Sequence, residues 1–489
     1  MKLVQRGRLL RPNLHYRLIG EMALAAKVLL AVPPGCDKLE VYRVMGLRAP
    51  PLGLAWIASV LESHGHEVKI VDSPTLGLSI EDFVKIVDSW NPDVLGLSSL
   101  TPTIRLAYKA AKAAKAVDKD VKVVMGGVHA TFMWREVLEE CPYVDYVVLG
   151  EGEESMLRLV EALEGRGKPS EVPGIAMRNE RGNAVQTGPW RPVDLERLPP
   201  PARHLLPMDR YMVFGKPVRV VHVMASRGCP YGCIFCVTSY YFGRKVRFRR
   251  VEQVLDEIAE CVDEYKTKTF VFTDDELTIN RKWMESFIRG LKERGLDIRW
   301  TCGARVDNVD ERILAKMFSA GCTTIYFGVE SGSQETINKT GKRIDLRQAE
   351  KVFEVIKKIG GSAVATFVLG FPWETVDDMR KTVKFALKLD PDYAQFTYAT
   401  PYPGTPLYEV AKKYDLIVDR DWSHYTTVRP VMRGFRFTIK DVEAVFTEAY
   451  TRFYVRLKFL VRQIRLGVFK DFLKTIFNNI VLPRLRGWL

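Results

Sequence analysis

Between Lys27 and about Gly165, short apolar runs alternate with stretches of helical period. The runs are KVLLAVP (27–33), EVKIVD (67–72), DVLGLSS (93–99), VKVVMGG (121–127) and DYVVLGE (145–151). Between them, LGLAWIASVLESHG and LAYKAAKAAKAV repeat apolar positions at helical spacing. Strands so rich in Val, Leu and Ile, with little alternation, predict a parallel sheet covered by helices on both faces. Ligands of such sheets bind beyond the carboxyl ends of the strands, where the strand order reverses. The residues expected there are the loop 33–51, Ser98 to Thr103, the turn Gly126, Gly127, Val128, His129, and Gly150, Glu151, Gly152.

Residues 166 to about 215 are rich in Pro and charge (RPVDLERLPPPARHLLP), lack a sustained period and read as a linker. A second alternating series follows. Its strands read VRVVHVMASRG (218–228), TFVFTDDE (269–276), IRWTCGARVD (298–307), TTIYFGVES (323–331), SAVATFVLGFP (362–372) and YAQFTYATPYPG (393–404). Helical stretches are expected at about 251–265, 281–294, 310–320, 346–359 and 375–388. Six strand–helix repeats are too few to close an eight-fold barrel, so a partial, open barrel is predicted, with its chemistry at the carboxyl ends of the strands. From Ile439 to Leu489 the chain reads as helical. Val442, Val445, Phe446, Ala449, Phe453, Leu457, Leu460, Val461 and Ile464 fit one helix face. The fold class is therefore α/β, divided as an extension (1–26), a Rossmann-like domain (27–165), a linker (166–215), a partial (β/α)6 barrel (216–430) and C-terminal basic helices (431–489).

The 489 residues suit two or three domains, and 47% hydrophobic with 27% charged residues excludes a disordered chain. Eight Cys in this length are no disulfide framework, which points to a reducing cytoplasm. No apolar run reaches the roughly 18 residues of a membrane span. The basic start and the apolar patch Met22 to Val32, interrupted by Lys27, read as the approach to a buried strand rather than a signal peptide. The net charge of +14 is uneven. From Tyr450 onward nine Lys or Arg (Arg452, Arg456, Lys458, Arg462, Arg465, Lys470, Lys474, Arg484, Arg486) face one acid, Asp471, a surplus of eight. That implies a local anionic contact rather than a surface made for nucleic acid.

Three cysteines sit together in SRGCPYGCIFC: Cys229, Cys233 and Cys236. They follow the first barrel strand, on a loop at the end where chemistry is expected. Three thiolates on a short loop suit a soft metal. Zinc wants a fourth ligand, and no His or Cys within twenty residues is well placed; His222 lies inside the strand. Three ligands with one position open suit a 4Fe–4S cluster with one exposed iron.

This C-x3-C-x2-C loop, with Phe235 before its last cysteine and a six-strand βα series around it, resembles the radical S-adenosylmethionine (radical SAM) enzymes over residues 218–405. The resemblance implies that Cys229, Cys233 and Cys236 hold the cluster. It further implies that the methionine amine and carboxylate of S-adenosylmethionine chelate the fourth iron, and that electron transfer from a low-potential flavodoxin- or ferredoxin-type donor yields a 5′-deoxyadenosyl radical. That radical removes hydrogen from an unactivated carbon, a step side chains cannot perform. In TDDELT, Asp274, Asp275 or Glu276 would accept from the methionine ammonium, in place of the Gly-Gly-Glu of many relatives. Arg305 in CGARVD would pair with a carboxylate. Glu330, Ser331 and Ser333 in GVESGSQ would bind the methionine or ribose part. FVLGFPWET and TPYPGTPLY would line the substrate space.

A Rossmann-like domain before such a barrel resembles the cobalamin-binding subclass, to which GGVHAT and VDYVVLGEGEES are similar. The implied cobalamin contacts are Ser98, Gly126, Gly127, His129, Gly150 and Glu151. The loop 33–51 has no His, so a protein ligand to cobalt is not expected. His129 either touches the corrin or a neighbouring carbonyl, or is a satisfied structural His. Two chemistries follow: methyl transfer from cobalamin to a substrate radical, or control of a radical during cyclisation, oxidation or carbon–carbon bonding.

The tail, with Arg and Lys between Phe, Tyr and Leu, reads either as an interfacial helix on an anionic membrane or as a helix packed on the barrel with basic residues reaching outward. An RNA partner is discounted: the front domain has only Cys36 and Cys141, too few for the second cluster of the methylthiotransferases. The expected substrate is hydrophobic, an isoprenoid lipid, hopanoid or tetrapyrrole. The competing function is a cobalamin or iron–sulfur sensor without catalysis.

Overall fold

The computed structural model describes residues 25–39, 48–213, 216–217 and 220–465. The N-terminal extension up to residue 24 and the tail cations Lys470, Lys474, Arg484 and Arg486 lie outside the described residues.

Seven strands build the first sheet: β1 (Lys27–Val32), β2 (Glu67–Asp72), β3 (Val94–Ser98), β4 (Lys122–Gly126), β5 (Tyr146–Val148), β6 (Ile175–Arg178) and β7 (Ala184–Gln186). Their order is β2-β1-β3-β4-β5-β6-β7. β1 pairs in parallel with both β2 and β3, which places the reversal of strand order at its carboxyl end. Helices cover both faces, as the patterning requires. Leu54, Ala58 and Leu61 with Met156 and Val160 pack on one face; Phe83, Val87, Ala107, Ala111 and Leu138 pack on the other.

β6 and β7 correct the linker. They run antiparallel on the edge of the sheet, joined by a turn around Gly182. Strands of four and three residues are too short to show a period, so the sequence of this stretch reads only as turns and charge.

The second sheet is all parallel and in sequential order: β8 (Val220–Val223), β9 (Thr269–Phe272), β10 (Arg299–Ala304), β11 (Cys322–Glu330), β12 (Ser362–Leu369) and β13 (Tyr393–Tyr398). Five helices, Val251–Tyr265, Arg281–Glu293, Glu311–Ser319, Leu346–Lys358 and Val376–Leu389, lie within one residue of their expected bounds. The outward side chains Phe270, Phe272, Trp300, Ile325, Phe327, Ala365, Phe367 and Phe396 form the core with these helices. Strand alternation then turns Thr301, Thr324, Tyr326, Thr366, Gln395 and Thr397 toward the concave face, where they keep partial or full solvent access.

An open barrel leaves strand edges. On β13 the edge is closed by side chains of the helix Ile439–Tyr454. The Tyr454 hydroxyl donates to Ala394 O (2.7 Å) and accepts from Ala394 N (3.2 Å). The Tyr450 hydroxyl does the same at Phe396 (3.1 and 3.3 Å). Backbone groups of an edge strand are thus satisfied without a further strand.

The expectation of one continuous apolar face along the tail holds only to Phe453. The helix ends at Tyr454, and a new one, Leu457–Arg465, starts with a changed facing. It buries Phe459 and Gln463, while Leu457 is 77% and Ile464 58% exposed. Four of the tail cations are paired: Arg452 with Glu448, Arg456 and Lys458 with Asp390, and Arg462 with Asp392. No helix among the described residues is long and apolar enough to cross a membrane.

Two buried charge clusters fasten the parts together. Arg203, from the stretch after β7, reaches Glu257 (2.5 Å) and His222 O (2.7 Å), and Arg249 pairs with the other Glu257 oxygen. Burial alone would raise the Glu257 carboxyl, but the two guanidiniums outweigh it and hold it below its ordinary value. Removing Glu257 would strand two cations in the interior. Glu257→Ala is expected to cost about 3–5 kcal/mol in chemical denaturation, and Glu257→Gln less. Because the folded carboxyl is depressed, the contribution is full above the usual carboxylate range and fades as pH falls through the folded value, so the mutant deficit should shrink in acid.

Candidate active site at the barrel mouth

The cysteine loop is an excursion between Ser226–Arg227 and Arg247–Phe248, which pair antiparallel and close its neck. Gly228 has φ +101°, and a Cβ there would stand 2.5 Å from Lys245 O, so the turn into Cys229 needs glycine. Cys229 N donates to Gly243 O (3.2 Å) and Ile234 N to Thr340 O (3.0 Å). Leu407 N donates back to Ile234 O (2.9 Å). The loop is thus held by the turns after β11 and β13.

Burial raises all three thiols, Cys229 to about 11; repulsion between thiols adds to it at Cys229 and Cys233, and Asp275 at Cys236. Lys342 and Arg305 act the other way on Cys233, and the Thr238 hydroxyl on Cys236. Among the described residues no three His, Cys, Asp or Glu side chains converge as ligands of one ion. Three thiols on one short loop, within electrostatic reach of one another, are a donor set that suits an iron–sulfur cluster.

The acids after β9 divide their tasks. Asp274 is buried, accepts from Ala225 N (3.1 Å) and Ser226 Oγ (2.5 Å), and braces the strand that leads into the loop. Burial pushes it up to about 7. Asp275 accepts from Thr238 Oγ1 (2.8 Å) and is accessible to solvent within a recess; burial pushes it up to about 6. Its charge is felt by both Cys229 and Cys236. Glu276 is 1% exposed; Thr278 Oγ1 donates to its Oε1 (2.5 Å), and Oε2 has no partner.

Arg305 spans the site. It donates to both Asp307 oxygens (2.9 and 2.8 Å) and to Lys342 O (2.7 Å), and its guanidinium lies 3.5 Å from the Tyr231 ring centroid. Buried Lys342 donates to Glu330 Oε1 (2.5 Å). Glu330 sits at a break in register with φ +67°, a costly backbone for glutamate that marks a functional position. Ser331, by contrast, is wholly buried between Thr382 Oγ1 (3.0 Å) and Ser333 N (3.1 Å), and Ser333 caps the next helix through Thr336 N. Both serve the turn.

The front domain meets this mouth directly. Arg227, two residues before Cys229, pairs with Glu151 (2.9 Å) and Glu153 (2.6 Å), and Arg247 takes the other Glu151 oxygen. The Tyr241 hydroxyl donates to Gly150 O (2.7 Å), and a Cβ at Gly150 would run into the Trp190 ring. His129 is buried, with Nδ1 3.2 Å from Thr101 Oγ1 and its ring edge-on to Trp422 at 5.1 Å. Burial lowers it to about 4, so it stays neutral. Glu151, Gly150 and His129 are therefore engaged by the interface between domains. Ser98, Gly126 and Gly127 stay half-buried at the open ends of β3 and β4, beside Leu100, which is 46% exposed. That open, partly apolar ledge at the point of strand reversal fits a broad planar cofactor. Arg227, Tyr231, Glu153, Thr238 and Lys342 escaped the sequence reading; a Lys or Arg beside each Gly turn (SRG, TGK) is the signal it offered.

The turn after β12 holds one more unusual group. Glu374 is fully buried, accepts from Gly370 N (3.0 Å) and Phe371 N (2.9 Å) through Oε2, and leaves Oε1 without a partner. Burial pushes it up to about 8. A carboxyl raised on folding favours the folded state below its unfolded value and loses that advantage as pH climbs toward the folded one. Glu374→Gln should therefore flatten the fall in stability between roughly pH 5 and pH 8, measured by denaturant midpoints across that range.

With this geometry in view, the chain matches two family models. Residues 41–160 match the B12 binding domain and residues 223–386 the radical SAM superfamily. An uncharacterized methyltransferase of Pyrococcus horikoshii, PH0819, is 41% identical over 90% of this chain and 94% of its own. The anaerobic magnesium-protoporphyrin IX monomethyl ester cyclase of Rubrivivax gelatinosus is 31% identical over 88% of this chain and 80% of its own. In fold, the chain is similar to the radical S-adenosylmethionine methyltransferase TsrM of Kitasatospora setae, solved with cobalamin and a [4Fe-4S] cluster, at TM-score 0.66 and 19% identity over 80% of this chain and 75% of that one. The protein belongs to the radical SAM enzymes that carry a cobalamin-binding domain, a family of methyltransferases and cyclases.

Proposed function

We propose that this enzyme transfers a methyl group to an unactivated carbon of an amphiphilic ring substrate. The observation that carries the reading is the junction of Arg227 with Glu151, which holds the cysteine loop against the cobalamin-type ledge. When bound, the cluster, S-adenosylmethionine and cobalamin supply one-electron sulfonium cleavage and methyl carriage.

The chain's own residues bind and orient. Cys229, Cys233 and Cys236 hold the cluster. Asp275, and Glu276 through its unpartnered Oε2, accept from the methionine ammonium. Arg305 and Lys342 are the cations that would pair with its carboxylate, with Glu330 keeping Lys342 in place. Ser98, Gly126, Gly127 and Leu100 form the ledge for cobalamin.

The concave face supports a narrower substrate class. Thr301, Thr324, Tyr326, Thr366, Gln395 and Thr397 suit a molecule with polar substituents. A tetrapyrrole, with ring nitrogens and carboxylate substituents, meets that requirement better than the hydrocarbon ring system of a hopanoid, and the resemblance to a protoporphyrin ester cyclase supports it. Cyclisation is the second reading, on that same likeness. A peripheral membrane contact of the described tail would rest on exposed Val455, Leu457, Val461 and Ile464 rather than on its four paired cations. Flotation with anionic liposomes should accordingly persist at high salt; binding confined to low salt would make it electrostatic.

Anaerobically reconstituted protein should carry about four irons per chain and release 5′-deoxyadenosine from S-adenosylmethionine on reduction. Cys233→Ala should lose both, whereas Lys342→Met should keep the iron and weaken S-adenosylmethionine binding about tenfold, as loss of one charge-assisted contact predicts. An intact cluster in Cys233→Ala overturns the ligand assignment. Cluster and corrinoid binding without cleavage would instead favour the sensor.

A further inference from the structure

A guanidinium that is to clamp a carboxylate needs two free N–H groups and a fixed plane. Arg305 spends its Nε proton and both Nη2 protons inside the protein, on the two Asp307 oxygens and on Lys342 O. Its Nη1 protons are bonded to no protein group among the described residues. One edge of the plane is therefore left for a ligand. Asp307 lies only two residues on, in the same half-exposed turn, and moves with Arg305. Lys342 O is a single point of attachment. The contact that sets the tilt of the plane is the Tyr231 ring, which covers one face with its centroid 3.5 Å from the guanidinium carbon.

Tyr231 is itself held at both ends. Its backbone stands between Cys229 and Cys233, behind Pro230, which restricts the chain leading into it. Its hydroxyl donates to Asn308 Oδ1 (2.9 Å), and Asn308 N donates to Arg305 O (3.2 Å). The ring thus spans the turn from Arg305 to Asn308, with its base in the cysteine loop and its tip tied to the far side of that turn. An aromatic face attracts a cation without taking up any of its N–H groups. A polar partner in the same place would consume donors that a carboxylate needs.

We propose that Tyr231 is a positioning residue: its ring aims the free Nη1 edge of Arg305 at the carboxylate of S-adenosylmethionine. The loop that supplies the three thiols then also orients the cation for the sulfonium cofactor. This rests on the pairing of Arg305 with that carboxylate and adds what fixes the guanidinium.

The test is equilibrium binding to the full-length, anaerobically reconstituted protein, without reductant so that nothing turns over. Two ligands are compared: S-adenosylmethionine and its decarboxylated analogue, which keeps the amine and sulfonium but lacks the carboxylate. The parent should prefer S-adenosylmethionine. Tyr231→Leu should lower that preference about fivefold to tenfold, the scale of a desolvated cation–aromatic contact, with the iron content of the parent. Tyr231→Phe, which keeps the ring, should stay within about twofold of the parent. In an Arg305→Gln background, Tyr231→Leu should lower the preference no further, because the two residues act as one unit. Equal weakening of both ligands by Tyr231→Leu, an equal loss in Tyr231→Phe, additive losses with Arg305→Gln, or a fall in iron that tracks the fall in preference would each overturn the positioning role. An Arg305→Gln variant with the parent's preference would instead overturn the pairing of Arg305 with the carboxylate.

Discussion

A buried pair of acids and a pair of arginines join the two halves of this enzyme. Glu151 and Glu153 open the last helix of the front domain, and Arg227 and Arg247 flank the neck of the cysteine loop. With every member buried or nearly so, each charge depends on its partners, because an unmatched ion in that setting costs several kcal/mol. The domains therefore cannot separate cheaply, and the cysteine loop keeps a fixed position relative to the ends of β3 and β4. Radical chemistry needs that fixity: the carbon that loses hydrogen must be presented to the radical without intervening solvent.

Much of this was legible in the sequence, and for physical reasons. Long buried strands and amphipathic helices repeat a local pattern, so the five barrel helices fall within one residue of their expected bounds. The cysteine spacing is likewise local. What escaped depends on distance along the chain. Arg227 and Glu151 are 76 residues apart, and Lys342 meets Glu330 beside a bulge in β11 that the sequence does not signal. β6 and β7 are too short to carry a period. The break after Tyr454 leaves the apolar spacing intact while turning Leu457 and Ile464 outward, so spacing alone misassigns their face.

The candidate site shows the same division. The three cysteines, Asp275, Glu276 and Arg305 meet at the barrel mouth as their places at strand ends imply. Asp274, Ser331, Gly150, Glu151 and His129 stand equally close in sequence to the expected loops, and the structure adds contacts that the sequence does not show, to the neck of the cysteine loop, to the turn after β11 and across the domain junction. Sequence locates the loop; the partners each of its side chains meets depend on packing against segments distant in the chain.

The two tyrosines that seal the outer rim of β13 give the C-terminal helix a second duty. Their hydroxyls stand in for a seventh strand. A chain shortened ahead of Tyr450 would leave Ala394 and Phe396 with bare amides and carbonyls along a hydrophobic rim, an invitation to stack onto a sister molecule. Trimmed versions of this enzyme should thus tend toward fibrils or precipitates before they lose any reacting group.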